Sequence, residues 1–271
     1  MTNNANQEWL RLLEDVLSNG ERIRPRGKLC YELRGYQTKI DMRFPVVSVK
    51  YRKMGYKFMT AEAAWILSGD NRLENIKKYS PFIWEFSDDG HYYSGAYGPM
   101  IVDQLTYVVD MLEQDPDTRQ AVLTIWRPNP RPSRDIPCTV SLQWFIRDGK
   151  LHCHDTMRSS DCWLGWVYDV FNMTMITGMI LLLLRERKRK SAVAYAPLEL
   201  GDLVLTAGSA HIYDKNYNEV HQLLSGSRET KFDAEFMPYE FENASHLIAH
   251  LQALSDKNPV GRNLFLSELN T

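Results

Sequence analysis

The sequence predicts a single α+β domain over residues 1–271, with long helices packed on a mixed sheet. Three observations carry this expectation. The apolar run "VFNMTMITGMILLLL" (170–184) has the length of a buried core helix. "CTVSLQWFIRDGKLHCHDTM" (138–157) reads as two strands around an Asp148-Gly149 turn. No repeat, low-complexity linker or break in composition divides the 271 residues, a length that can bury one sizeable core.

The elements follow in order. "EWLRLLEDVLSNG" has helical apolar spacing and a glycine stop at Gly20. "ERIRPRGKLCYELRGYQTKIDM" begins as a basic loop broken by Pro25 and Gly27 and feeds a strand. "MTAEAAWILSGD" is expected to be a second helix capped by Thr60. "DQLTYVVDMLEQDPDTRQ" is an amphipathic helix ending at Asp115-Pro116, and "QAVLTIWRP" a strand. The hairpin and the long helix come next. "RERKRK" (185–190) forms the solvated end of that helix, where cations suit its dipole. "GDLVLTAGSAHIYDKNYNEVHQLL" then gives strand, loop and helix.

Composition narrows the function classes. Apolar residues make up 44% and charged residues 24%, as in ordinary globular proteins. A net charge of -2 argues against a surface that coats nucleic acid. The run 170–184 falls short of the roughly 20 apolar residues of a membrane span, so no membrane is expected. Cys30, Cys138, Cys153 and Cys162 show no C-x-x-C pairing, so neither a metal site nor a disulfide framework is expected. Free thiols and the lack of a leader-like N-terminus fit the cytoplasm.

Cys138 follows Pro137 at the mouth of a strand. A thiol becomes a nucleophile where cations or oriented amides favour its thiolate. Arginines are plentiful at 24, 26, 119, 127, 131, 134 and 158. Arg158 stands at the end of the second hairpin strand, followed by two serines and Asp161. A guanidinium fork beside hydroxyls suits phosphate. The residues alone therefore point to a phosphorylated ligand near a nucleophilic thiol.

The motifs "RPRG", "AEAAWILSGD", "FIWEF", "GAYG", "DPDTRQ", "IPC", "MRSSD", "GWVYD" and "GSAHIY" occur in one order along the chain. In content and spacing they resemble the folate-dependent thymidylate synthase superfamily over nearly the whole length. The resemblance implies a three-layer α+β fold that dimerises through its sheet, and addition of a one-carbon unit from 5,10-methylenetetrahydrofolate to C5 of a pyrimidine nucleoside monophosphate. It implies Cys138 as the nucleophile at C6 of the base, Glu62 as the organiser of water and proton transfers, and Tyr97 on the proton-transfer side. Trp84, Asp161 and Gly165 match the folate side. Arg158, Ser159 and Arg24 match phosphate ligands, with Arg26 as the alternative in the basic loop. Arg119 would reach the phosphate of a partner subunit, while Gln120 stands where the family carries a second arginine. His211 and Tyr213 match the pair that holds the sugar 3′-hydroxyl.

Asp169 is the informative departure, since thymidylate synthases carry asparagine there. An amide matches O4 and N3–H of uracil. A carboxyl can accept from cytosine N4 and share a proton with N3. Asp169 would otherwise serve only as an acidic group opening the long helix. Met157 before Arg158, and "WRP" following the strand after "DTRQ", resemble the deoxycytidylate (dCMP) hydroxymethylases, and the C-terminus, "GRNLFLSELNT", does not resemble the short apolar tail that closes over folate in thymidylate synthases, so a wetter site would favour capture by water. The expected activity is therefore conversion of dCMP to 5-hydroxymethyl-dCMP. Rivals are a dCMP C5-methyltransferase, a CMP hydroxymethylase, thymidylate synthase itself, and a non-enzymatic dimeric regulator that binds nucleotide or RNA. Ser159 beside the sugar leaves less room for a 2′-hydroxyl than alanine would, which favours the deoxy form.

Overall fold

Residues 3–80, 82–189 and 198–257 are described by the computed structural model. Helix α1, Ala5–Asn19, opens on a capping box in which Asn4 accepts from the Gln7 backbone (2.9 Å) and Gln7 reaches back to the Asn4 amide. Its apolar stripe, Trp9, Leu12, Leu13 and Val16, is buried. Strand β1, Glu21–Ile23, pairs with β2, Cys30–Asp41, and the basic loop between them tightens into a turn at Pro25–Gly27. Helix α2, Tyr56–Leu67, starts earlier than expected. Thr60 is not its cap: it lies inside the helix, and its hydroxyl bonds back to the Tyr56 carbonyl at 3.1 Å.

The short α3, Leu73–Ile76, precedes α4, Tyr97–Gln114, which begins six residues before the expected start and ends before Asp115-Pro116 as expected. Strand β3 is only Val122–Thr124. The hairpin of β4, Thr139–Arg147, and β5, Lys150–Met157, turns on Asp148 (φ 51°) and Gly149 (φ 72°). Positive φ at both central residues is what a type I′ turn demands. After β6, Ser160–Asp161, comes α5, Trp166–Arg189, longer than the apolar run suggested. It is long and apolar enough to cross a membrane, but 83% of its most apolar window is buried inside the fold. Its end is not simply solvated, because Arg187 pairs with Asp110 and with Glu113 (2.9 Å) on α4. Lys190, the last of the basic run, and residues 261–271 lie outside the described residues. Strand β7, Glu199–Tyr213, runs straight into α6, Asp214–Ser225, with no intervening loop. Helix α7, Ala244–Lys257, was not anticipated.

The strands form one mixed sheet in the order β1-β2-β7-β5-β4-β3, with β6 beside β7. The β5–β7 and β6–β7 pairs are parallel and the rest antiparallel. Three layers result: the sheet, α5 against one face, and α2, α4 and α7 outside α5. The middle layer explains why α5 is apolar all round, since a helix covered on every side has no solvent face to mark. The other face of the sheet presents the exposed Gln37, Lys39, His154 and Thr156.

Candidate active site

The hairpin register builds the centre of the site. Arg147 pairs with Lys150, and one irregularity in β4 brings Thr139 opposite Met157. Cys138 and Arg158, one step beyond that pair, are therefore neighbours, and the Arg158 amide donates to the Cys138 carbonyl at 2.8 Å. The guanidinium folds over the strand mouth, donating from Nε to Pro137 O (2.8 Å), from Nη2 to Ile136 O (3.0 Å) and from Nη1 to Ser159 Oγ (3.1 Å). Nη2 also lies 3.8 Å from Cys138 Sγ, and Ser159 Oγ lies 3.7 Å from it. Burial pushes the thiol above its ordinary range, the Arg158 charge opposes that, and the Asp169 carboxyl adds to it.

A cavity of about 500 Å³ opens above Cys138. From α2 it receives Glu62, from α4 Tyr97, and from the start of α5 Gly165, Asp169 and Asn172. Glu62 is tied across to α5 by the Asn172 amide, which donates to Oε2 at 2.8 Å. Burial lifts Glu62 to about 7, with the Asn172 bond pulling the other way. Tyr97 accepts the Thr139 backbone N–H at 3.0 Å, which locks α4 to the residue after the nucleophile. Its phenol is pushed well up by burial and by the nearby Asp169 and Cys138. Asp169 is raised well above the ordinary carboxylate range: burial, then Asp155, Glu62 and Asp161, all disfavour its charge. A Cβ at Gly165 would come within 3.3 Å of Asp169 Oδ2, so glycine there leaves that carboxyl room.

The residues expected on the phosphate side and on the folate side lie in different parts of the cavity lining. Arg158 and Ser159 line the first, joined by Arg26 from the basic loop. Arg26, with φ 52°, takes the place expected of Arg24, which is exposed and does not line the cavity. Arg26 sits within the tight turn at Pro25–Gly27, whereas Arg24 precedes it. On the folate side, Asp161 Oδ1 caps the turn before α5 by accepting from the Trp163 (3.0 Å) and Leu164 (2.9 Å) amides. No described group donates to its Oδ2. Phe82, Ile83, Phe86 and Trp65 form an apolar wall nearby. A flat heteroaromatic ring with polar edges fits this pairing of aromatic wall and spare carboxylate oxygen, so the residues present suit a folate. Trp84 itself is 57% exposed and outside the lining, although Phe82, Ile83 and Phe86 around it are in it.

Three further expected residues, besides Arg24 and Trp84, stand apart from the cavity lining. His211 and Tyr213 lie on β7, with ring centroids 5.1 Å apart, and His211 is register-paired with Asp161. Arg119 is exposed, and its carbonyl accepts from Gln143 Nε2 at 2.9 Å. Asn172, Arg134 and Asp135 are cavity residues that the sequence reading missed. Asn172 carried one usable signal, its helical i+3 spacing from Asp169. Among the described residues no cluster of potential metal ligands occurs.

The comparisons agree with this geometry. The family model described as "Thymidylate synthase" matches residues 7–237. A thymidylate synthase of Francisella philomiragia is 25% identical over 281 residues, covering 89% of this chain and 96% of the relative. Thymidylate synthases of Francisella tularensis subsp. holarctica are 25% identical over 280 residues with the same coverage. With a matching fold, a thiol–arginine pair at a strand mouth and a cavity suited to folate, the chain belongs to the thymidylate synthase family, one-carbon transferases that use methylenetetrahydrofolate as co-substrate.

Proposed function

We propose that the protein converts dCMP to 5-hydroxymethyl-dCMP. One observation carries this reading: Asp169, the residue matched to the base, is a half-buried carboxyl in the cavity wall, and desolvation with the neighbouring acids shifts it toward its protonated form. A neutral acid can donate to N3 of cytosine, whereas N3 of uracil already carries hydrogen.

The residues then divide the work. Arg158, Ser159 and Arg26 bind the phosphate and orient the ring over Cys138. As the Cys138 sulfur bonds to C6, the C5=C6 pair shifts to C4–C5, and N3 takes the proton of Asp169. Methylenetetrahydrofolate, held by Asp161 and the Phe82–Phe86 wall, supplies the one-carbon unit to C5. Once the C5 proton has passed through water to solvent, and the bond from the one-carbon unit to the folate nitrogen has broken with its pair and a solvent proton going to that nitrogen, C5 would carry an exocyclic methylene, and Glu62 takes a proton from water as the water oxygen bonds to that carbon. The methylene pair re-forms C5=C6, Cys138 leaves as thiolate, and N3 returns its proton to Asp169. A Glu62 carboxyl poised near 7 suits both giving and taking a proton at neutral pH.

The proposed assembly is a homodimer through the open face of the sheet, where Gln37, Lys39, His154 and Thr156 are exposed. Arg119, remote from its own cavity, would complete the partner's phosphate site. The reading places the enzyme in the cytoplasm and involves neither membrane nor nucleic acid. The relatives' names favour a second reading, methylation of dUMP. Incubation with methylenetetrahydrofolate and dCMP, CMP or dUMP, followed by product mass, decides between them. One hydroxymethyl gained on dCMP supports the proposal; a methyl gained on dUMP alone overturns it.

A further inference from the structure

Asn172 gives Glu62 one half of its amide and leaves the other half unused. It is 4% exposed on α5, and its Nδ2 donates to Glu62 Oε2 at 2.8 Å. That donation fixes the orientation of the amide and leaves Oδ1 as an acceptor. Oδ1 is buried and has no hydrogen-bond partner among the described residues. On the other side of the bond, no described group reaches Glu62 Oε1, and the Asn172 amide is the one hydrogen-bond donor acting on this carboxyl. Leaving a buried acceptor unpaired costs about 1–3 kcal/mol, so Oδ1 calls for a donor.

The surroundings decide which donor fits. Asn172 and Glu62 both line the cavity of about 500 Å³ above Cys138. Phe58, Trp65 and Ile66 share the Glu62 face of α2 and line the same cavity, so the wall around the carboxyl is apolar. A buried water needs room for about one probe sphere, on the order of 10–15 Å³, and at least two polar partners. The cavity gives the room. Asn172 Oδ1 and Glu62 Oε1 give the partners. Nδ2 and Oδ1 belong to one planar amide, so a water that donates one hydrogen to Oδ1 can turn its other hydrogen toward the carboxyl held by the same amide.

We propose that Asn172 is a positioning residue that seats, on its Oδ1, the water that Glu62 deprotonates. The use of that water in capture rests on the hydroxymethylation reading; the seat itself does not depend on which nucleotide binds. With the exocyclic methylene in place, the water keeps one O–H on Asn172 Oδ1 and loses the proton of the other to Glu62. Its freed pair bonds to the methylene carbon. The methylene pair moves to re-form C5=C6, and the C6–S pair leaves with Cys138. The hydrogen on Oδ1 stays with the product hydroxyl, and Glu62 returns its proton to solvent before the next turnover. One amide thus serves base and nucleophile: Nδ2 aims the carboxyl and Oδ1 aims the water. Seating the water on the buried helix removes much of its freedom before the bond forms.

The test uses Asn172→Leu and Asn172→Asp in the full chain, with dCMP tritiated at C5 and methylenetetrahydrofolate. Wild type should release one tritium for each hydroxymethyl formed. Leucine removes donor and acceptor together. The uncaptured methylene then reverts, by return of the folate nitrogen and protonation at C5, so tritium release should exceed product by about fivefold or more. Aspartate keeps an oxygen for the water but has no amide to support Glu62. Its kcat should fall while its ratio of tritium to product stays within about twofold of one. A purely structural Asn172 would lower release and product together in both variants. In crystals of the nucleotide-free wild type, an ordered water should lie within about 2.6–3.2 Å of both Asn172 Oδ1 and the Glu62 carboxyl, and Asn172→Leu should lack it. That readout stands even if wild type makes only methyl from dUMP, a result that sinks the hydroxymethylation reading by itself. A ratio of one in Asn172→Leu, or no such water in wild type, would overturn the inference.

Discussion

Asn172 of the long buried helix donates its side-chain amide to Glu62 of α2 at 2.8 Å, binding two layers of the fold at the wall of the cavity. The bond favours the ionised carboxyl, against the burial that disfavours it. Removing it in Asn172→Ala should therefore raise Glu62 above its value of about 7. If Glu62 takes a proton from water during turnover, the acid limb of the kcat profile moves up with it. A hydrogen bond to a charged group contributes about 1.5–3 kcal/mol, so about one pH unit is expected. An unmoved acid limb would separate Glu62 from that step.

The same carboxyls set the pH dependence of stability. Glu62 and Asp155 rise in the folded chain from ordinary values of 4.5 and 3.8 to about 7 and about 8. Between those limits the native state binds more protons than the unfolded chain, so stability falls as pH rises from about 4 to about 8. Tm in that window should fall with pH, and Glu62→Gln should flatten the part of the slope below about 7. A Tm that climbs steadily across the window contradicts the assignment.

Cys138 should be indispensable for turnover and dispensable for binding. Cys138→Ser leaves the Arg158 fork on Ile136, Pro137 and Ser159 in place, because none of those bonds uses the sulfur. Turnover should fall at least about a thousandfold, since an unactivated hydroxyl is a weak nucleophile, while nucleotide affinity changes less than about threefold. Turnover within a few-fold of wild type would exclude the thiol from the chemistry.

Asp169→Asn should shift preference from cytosine to uracil nucleotides. The amide cannot yield a proton to N3, so the loss should fall mainly on kcat for dCMP. A polar mismatch of about 1–3 kcal/mol corresponds to a tenfold or greater change in the ratio of kcat/KM for dCMP over dUMP. Unchanged rates on both nucleotides would leave Asp169 as a helix-opening residue only.

Arg119 tests the shared site. Arg119→Ala and Cys138→Ser should each be inactive alone, and mixed dimers should regain activity, since one of their two sites then carries both native residues. Proven heterodimers without recovery would show that each subunit is self-sufficient.

Much of this was readable from local patterns. The Asp148-Gly149 turn set the hairpin, because strand pairing follows the turn, but only the irregularity in β4 brings Arg158 rather than Ser159 beside Cys138. The ordered motifs pointed to the family, and Asp169 stood out as the most informative departure beside Gln120 and Met157. Local chemistry misled where propensity met packing. Thr60 looked like a cap but lies within a helix that starts at Tyr56, because burial of Met59, Ala63 and Ala64 outweighs the cap signal. Arg24 and Arg26 could not be separated by spacing, and only the turn at Pro25–Gly27 with its positive φ at Arg26 decided between them. Nothing in the sequence pairs Glu62 with Asn172, since these residues meet only when α2 packs on the long helix. The sequence by itself determined which elements form and which side chains have the chemistry. The tertiary structure decided which of those groups are removed from water together, and that shared burial is what moves their protons.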